Sequence, residues 1–138
     1  MLKRLIILSL ASAALSLTSH GETVTVTVEN INAKAGKVFV ALHTSDTFLS
    51  DELIDGRIIE VNGDSVSFTM SDVTPGTYAL AAFHDVDDDG ELDAGTFGIP
   101  KEPYGFSNNA KPRFGPPKFK AASFVVAADG AEQTIRLR

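Results

Sequence analysis

The 138 residues contain no cysteine and no tryptophan. The first absence excludes a disulfide framework, a thiolate metal site, a cysteine nucleophile and a lipid-bearing cysteine near the N-terminus. Basic residues are in short supply, with 12 Lys and Arg against 18 Asp and Glu. Long apolar runs are missing except at the very start, where residues 5–17 carry no charge and are mostly Leu, Ile and Ala. That run is shorter than the roughly 20 residues a membrane-crossing helix requires. Lys3-Arg4 precedes it and the small polar Thr18-Ser19-His20-Gly21 follows it, which is the three-part plan of a secretory signal peptide. The sequence therefore predicts removal of residues 1–21, cleavage after Gly21, and a single mature domain at 22–138 in the periplasm or outside the cell.

Loss of Lys3 and Arg4 leaves 10 basic and 18 acidic residues, a net charge of −8. A chain this acidic repels phosphate backbones, which argues against a nucleic-acid partner and disfavours anionic membrane surfaces. With no apolar run after the signal there is no transmembrane segment. The expected partners are an envelope protein, a glycan or a small molecule. The chain shows no fixed-period repeat, no heptad, no phosphate loop, no dinucleotide fingerprint and no Gly-x-Ser-x-Gly elbow.

Strand patterns fill most of the mature chain. Residues 23–28 (TVTVTV) alternate valine with threonine, the signature of a half-buried strand. Residues 37–44 place Val38, Val40 and Leu42 on one face and apolar Phe39 and Ala41 on the other, as a central strand does. Residues 57–61 and 65–70 flank Asn62-Gly63, the strongest short hairpin signal, which would set Ile59 opposite Val66. Pro75-Gly76 predicts a type II turn with Gly76 at positive φ, leading into a strand over 77–84. Two more strands, 122–127 and 133–137, are joined by Asp129-Gly130. A short helix is expected only within 47–55. Seven short strands with turn signals predict an all-β fold: an antiparallel β-sandwich, prealbumin-like or immunoglobulin-like, with a small closed barrel as the alternative.

Residues 85–120 interrupt this rhythm without a convincing strand. Nine Gly and Pro lie between 95 and 117, yet five rings (Phe97, Tyr104, Phe106, Phe114 and Phe119) are spread through the segment. Disordered segments are poor in aromatics, so this one reads as an ordered loop whose rings cover the sandwich. Lys101, Lys111, Arg113, Lys118 and Lys120 make it basic beside an acidic start, a charge dipole whose simplest use is to pair with itself.

That acidic start carries the chemistry. In Asp85-Val86-Asp87-Asp88-Asp89-Gly90-Glu91-Leu92-Asp93, carboxylates occupy relative positions one, three, five and nine, with Gly at six. This is the front half of a calcium loop. Alternating aspartates wrap oxygens about one centre, Gly90 permits the sharp turn, and Glu91 offers its backbone carbonyl. A hard divalent cation, Ca²⁺, suits oxygen ligands of this kind. The predicted metal ligands are Asp85, Asp87, Asp89, Glu91 and Asp93. Position twelve is Thr96 rather than a bidentate Glu, and the flanks are not helical, so the helix–loop–helix motif is excluded. Glu102 is the nearest carboxylate able to close the shell. The alternative is a solvated acidic turn that binds nothing. His84, beside this loop, is a candidate ligand or general base, and His43 a structural residue within its strand.

These residues resemble a known family. His84-Asp85, Asp89-Gly90-x-Leu92-Asp93, then Gly98-Ile99-Pro100-x-Glu102-x-Tyr104-Gly105-Phe106-Ser107-Asn108-Asn109, and Gly115-Pro116-Pro117, with Pro75-Gly76-Thr77-Tyr78-Ala79 upstream, are similar to domain-of-unknown-function family 2141. The resemblance implies an exported β-sandwich of Gram-negative bacteria and brings no activity with it. The expected function is a binding or structural role at the cell envelope with a calcium loop. The alternatives are a hydrolase acting on glycans through His84 or Glu102, and a carrier holding an apolar small molecule in a cavity between the sheets.

Overall fold

The alternation at 23–28 becomes the central strand of a sheet in the computed structural model, which describes residues 20–138 apart from the side chain of Phe97. Residues 1–19 of the expected signal peptide lie outside the described residues. Strand β1 (Glu22–Glu29) runs between β4 (Ser65–Val73) and β8 (Ala131–Arg136). A second sheet takes β3 (Asp55–Glu60), β2 (Lys37–His43), β5 (Gly76–Asp85) and β6 (Tyr104–Phe106) in that spatial order. β7 (Phe124–Val126) pairs with the first residues of β5. The inward valines Val24, Val26 and Val28 are fully buried and share one core with Val38, Val40, Leu42, Leu80 and Ile135. Each such side chain contributes roughly 1.5–3 kcal/mol by leaving water. The chain is thus all-β, two sheets about one core. Two backbone hydrogen bonds between Tyr104 and Arg138 join the sheets along one side. Among the described residues no helix is long and apolar enough to cross a membrane.

Every one of the seven predicted strands is present; their partners are where the sequence misleads. The described residues form eight strands, because Tyr104–Phe106 pairs with Ala81–Phe83 of β5 inside the segment expected to have none. The pairing is not wholly antiparallel, since β8 lies parallel to β1 with Val26 opposite Gln133. Asn62-Gly63 makes no hairpin. β3 pairs with β2, placing Ile58 opposite Phe39, while β4 pairs with β1, placing Phe68 opposite Val26. Residues 61–64 cross from one sheet to the other, with Val61 buried and its amide donating to the Gly36 carbonyl. A local turn preference loses here to long-range pairing, which gives both faces of the core a strand. Asp129-Gly130 does turn the chain, with Gly130 at φ 79°, but it too links strands of different sheets.

Gly76 corrects another expectation: it is not at positive φ and begins β5 as extended strand. A Cβ there would only touch the Tyr78 ring at 3.4 Å, an ordinary contact, so neither backbone angle nor space demands glycine at this position. The Tyr78 hydroxyl donates to the Thr74 carbonyl at 2.6 Å, fixing the corner where the chain changes sheets. Residues 47–55 form turns rather than a helix, held by Thr47 and Ser50, whose side chains bond neighbouring backbone groups. The one α-helical turn among the described residues is α1 (Phe119–Ala122).

The long loop packs onto the larger sheet through both rings and polar groups. Phe106 is buried and Tyr104 and Phe119 are half-buried on the outer face of the larger sheet, packing with Phe48, Ala79, Ala110 and Ala122. Phe114 is fully exposed. The Ser107 hydroxyl, entirely buried, donates to the Ala122 carbonyl at 2.5 Å and accepts from the Leu80 amide at 2.8 Å. Asn108 donates to the Ala121 and Ser123 carbonyls, and Asn109 accepts from the Arg136 amide. Both asparagines sit at positive φ, 57° and 49°, a region Asn tolerates better than most residues. Ser107-Asn108-Asn109 therefore staples the loop to β5, α1 and β8.

Candidate metal centre

β5 ends at Asp85, whose side chain is fully buried and turns back over the residues that follow. Its Oδ1 accepts from the Asp89 amide at 3.2 Å and its Oδ2 from the Gly90 amide at 2.8 Å. Those bonds wind residues 85–90 into a tight loop, with Asp88 at φ 59° and Gly90 at φ 82°, the sharp turn expected of Gly90. The Asp89 carboxylate accepts from the Glu91 amide at 2.9 Å. A small bridge between Ala94 and Pro100, with the Lys101 amide donating to the Asp93 carbonyl, then returns the chain to the turn. It delivers Glu102, which is buried and accepts from the Val86 amide at 2.9 Å and the Asp93 amide at 3.2 Å.

Two carboxylate groups result. Asp85, Asp87 and Asp89 bring oxygens within 4.8 Å of one another, and so do Asp87, Asp93 and Glu102. Asp87 belongs to both. Asp85, Asp87, Asp89 and Asp93 of the predicted ligands fall in these groups; the Glu91 side chain is exposed and enters neither, its expected donor being the backbone carbonyl. Oxygen-only donors at this density match a hard divalent cation and not zinc. Loss of hydration, the adjoining Asp85 carboxylate and the charges of Asp89 and Asp93 push Asp87 up to about 6. Burial works to raise Asp85 as well, but the Gly90 amide, a hydrogen bond with Asp87 and the Asp89 and Asp88 amides outweigh it and hold Asp85 below its ordinary value.

Two contributors were invisible in the local sequence. The register of β2 on β5 sets Lys37 opposite Asp85, and its ammonium pairs with Asp88 at 2.9 Å. Gly36, at φ 72°, passes so close that a Cβ would lie 1.9 Å from the Asp85 carbonyl oxygen. The basic residues of the loop do not supply the countercharge: among the described residues Lys101, Lys111, Arg113, Lys118 and Lys120 make no ion pair. The expectation that the loop pairs with itself is thus not met.

His84 is not at this site. Alternation along β5 turns it to the core face, fully buried, with Nε2 2.6 Å from the Ala35 carbonyl. That contact requires the proton on Nε2 and leaves Nδ1 buried without a partner. His43 is likewise buried, edge-on to Phe48, as a structural residue of its strand.

A second feature lies on the outer face of the larger sheet. Phe39 and Phe83 stack at 4.8 Å on the floor of a groove of about 1190 Å³, walled by residues 49–53 on one side and by parts of the long loop on the other. This groove lies outside the core and not between the sheets, where the carrier reading expected a cavity. Neither a curated protein nor a solved structure matches the chain. A family model does match, over residues 26–135, a stretch that takes in both sheets, both carboxylate groups and the Ser107-Asn108-Asn109 staple, and on it the chain belongs to the family described as uncharacterised proteins conserved in bacteria, DUF2141.

Proposed function

We propose that the chain is an exported protein of binding or structural role, periplasmic or secreted after loss of residues 1–21, whose long loop is set in place by a calcium ion. The observation that carries the reading is Asp87, shared by two oxygen groups that arrive from opposite ends of the same excursion, 85–89 and 93–102. A cation there offsets the loss of hydration and the carboxylate crowding that raise Asp87, and ties the outgoing chain to the returning one. The finer fold class belongs to the same proposal. A tyrosine whose hydroxyl bonds the backbone four residues upstream, at a corner between sheets, supports a prealbumin-like or immunoglobulin-like sandwich. A second reading, carriage of an apolar small molecule, is favoured by the aromatic-floored groove. The hydrolase reading finds less support, because His84 is buried at the core and both Glu102 oxygens accept backbone amides.

Calcium titration tests the first reading. At free ion about 100 times the dissociation constant, the folded state gains about 2.7 kcal/mol. Asp87→Ala is expected to remove most of that gain. Calorimetry that detects no binding at millimolar calcium refutes the ligand assignment.

A further inference from the structure

We propose that the mouth of the outer groove, together with the basic stretch 111–120 that carries its exposed tip, docks on an anionic lipid surface. Nine large apolar side chains are exposed on the described surface. Six of them, Leu49, Leu53, Ile58, Leu92, Ile99 and Phe114, line this one groove. Isolated exposed apolar residues are ordinary, but a contiguous set marks a contact surface. Phe114 is the extreme case. It is fully exposed at φ 56°, and the Arg113 amide closes the tip onto the Gly115 carbonyl at 3.0 Å. Pro112, Pro116 and Pro117 limit the backbone on either side, so the ring is held outward.

Charge decides what the surface meets. The chain is acidic overall, yet Lys101, Lys111, Arg113, Lys118 and Lys120 are all exposed, within one loop. Among the described residues none of the five has an ion-pair partner. Lys101, Lys111 and Arg113 directly adjoin Pro100, Pro112 and Phe114 of the groove lining. An aromatic tip flanked by unpaired basic side chains fits the boundary of an anionic bilayer, where the ring enters the headgroup layer and the cations meet phosphate. Asp51 on the opposite wall, and the acidic turn if it lacks a cation, oppose this approach, so the contact is weak and salt-sensitive. The expectation that anionic membranes are disfavoured rests on net charge, whereas five exposed basic residues are gathered in residues 101–120.

The test is vesicle sedimentation with protein recovered from full-length expression, its N-terminus fixed by mass, in chelator so that the result does not depend on the calcium reading. The vesicles are phosphatidylcholine with or without phosphatidylglycerol. Preferential binding to the anionic vesicles, falling with salt, is expected. Each basic side chain contributes about fivefold, so Lys111→Glu with Arg113→Glu should lower partitioning by about 25-fold or more. Phe114→Ser should lower it about tenfold, with an unchanged melting temperature because the ring is fully exposed. Equal binding to both vesicle types, or partitioning insensitive to these variants, overturns the proposal. So does a self-association lost in Phe114→Ser by analytical ultracentrifugation, which would assign the face to a second copy of the chain.

Discussion

Removing the Ser107 hydroxyl takes an acceptor from the Leu80 amide and a donor from the Ala122 carbonyl, both inside the protein. A buried backbone group left unsatisfied costs about 1–3 kcal/mol. Ser107→Ala is therefore expected to destabilise the fold by about 2 kcal/mol, read as a lower denaturant midpoint with unchanged slope; an unchanged midpoint would mean that water replaces the hydroxyl. His43 makes a second residue-scale case. Burial holds its pKa below the ordinary 6.5, and the nearby Glu52 and Thr47 backbone only partly offsets this. The unfolded chain then binds the proton more readily than the folded one. His43 thus costs no stability above about pH 6.5 and lowers it as the pH falls through that value. Asp87, raised to about 6, acts in the opposite sense, stabilising the fold at low pH and losing that contribution as pH rises. Their opposition is resolved by comparison: His43→Leu should lose less stability than wild type between pH 7.5 and 5.5 in thermal melts. None of this was legible from residue type. A serine in a Gly/Pro-rich run and a histidine in a strand are common, and only the packed fold tells which ones lack water.

At the scale of elements, alternation made all seven predicted strands legible, because period two is a property of the strand alone. Partners were not legible, because pairing depends on which faces must share a core. Asn62-Gly63 is the instructive failure: its turn preference is real, but β4 pairs with β1 in one sheet and β3 pairs with β2 in the other. β6 escaped notice because Tyr104–Phe106 is too short to show a period. The acidic turn was legible in its spacing, and Glu102 as the nearest later carboxylate. What the spacing could not announce is the strand edge against which the turn is cast. Gly36→Ala tests that edge. Its Cβ would overlap the Asp85 carbonyl oxygen and its φ of 72° is unfavourable for alanine. The expected result is a loss of about 1–3 kcal/mol, the scale of backbone strain at such positions, together with weaker calcium binding. Destabilisation with calcium affinity intact would show that the turn holds its shape without Gly36.

The whole molecule divides the long loop into two parts that should answer differently to calcium. Residues 85–102 leave β5 and return to it through Glu102, so their path is fixed by the carboxylates that a cation would join. The Ser107-Asn108-Asn109 staple follows, anchored to β5, α1 and β8 by hydrogen bonds that involve no candidate ligand. Beyond it, residues 111–117 form the exposed tip. A cation should order the first part and leave the second unchanged, since coupling needs a connected element with two arrangements and the staple has no contact with the ion. Trypsin can read both parts in one digest. The Lys101–Glu102 bond lies within the carboxylate returning to the site; the Arg113–Phe114 bond lies at the tip. Cleavage after Lys101 should be slow with calcium and several-fold faster with chelator, because hydrolysis there requires local opening of the turn. Cleavage after Arg113 should proceed at one rate in both and serve as the internal standard. Equal acceleration at both sites would mean that the staple opens with the turn and that the loop behaves as one unit. Rapid cleavage after Lys101 regardless of calcium would show that no ion orders this segment, and the proposed centre would fail with it.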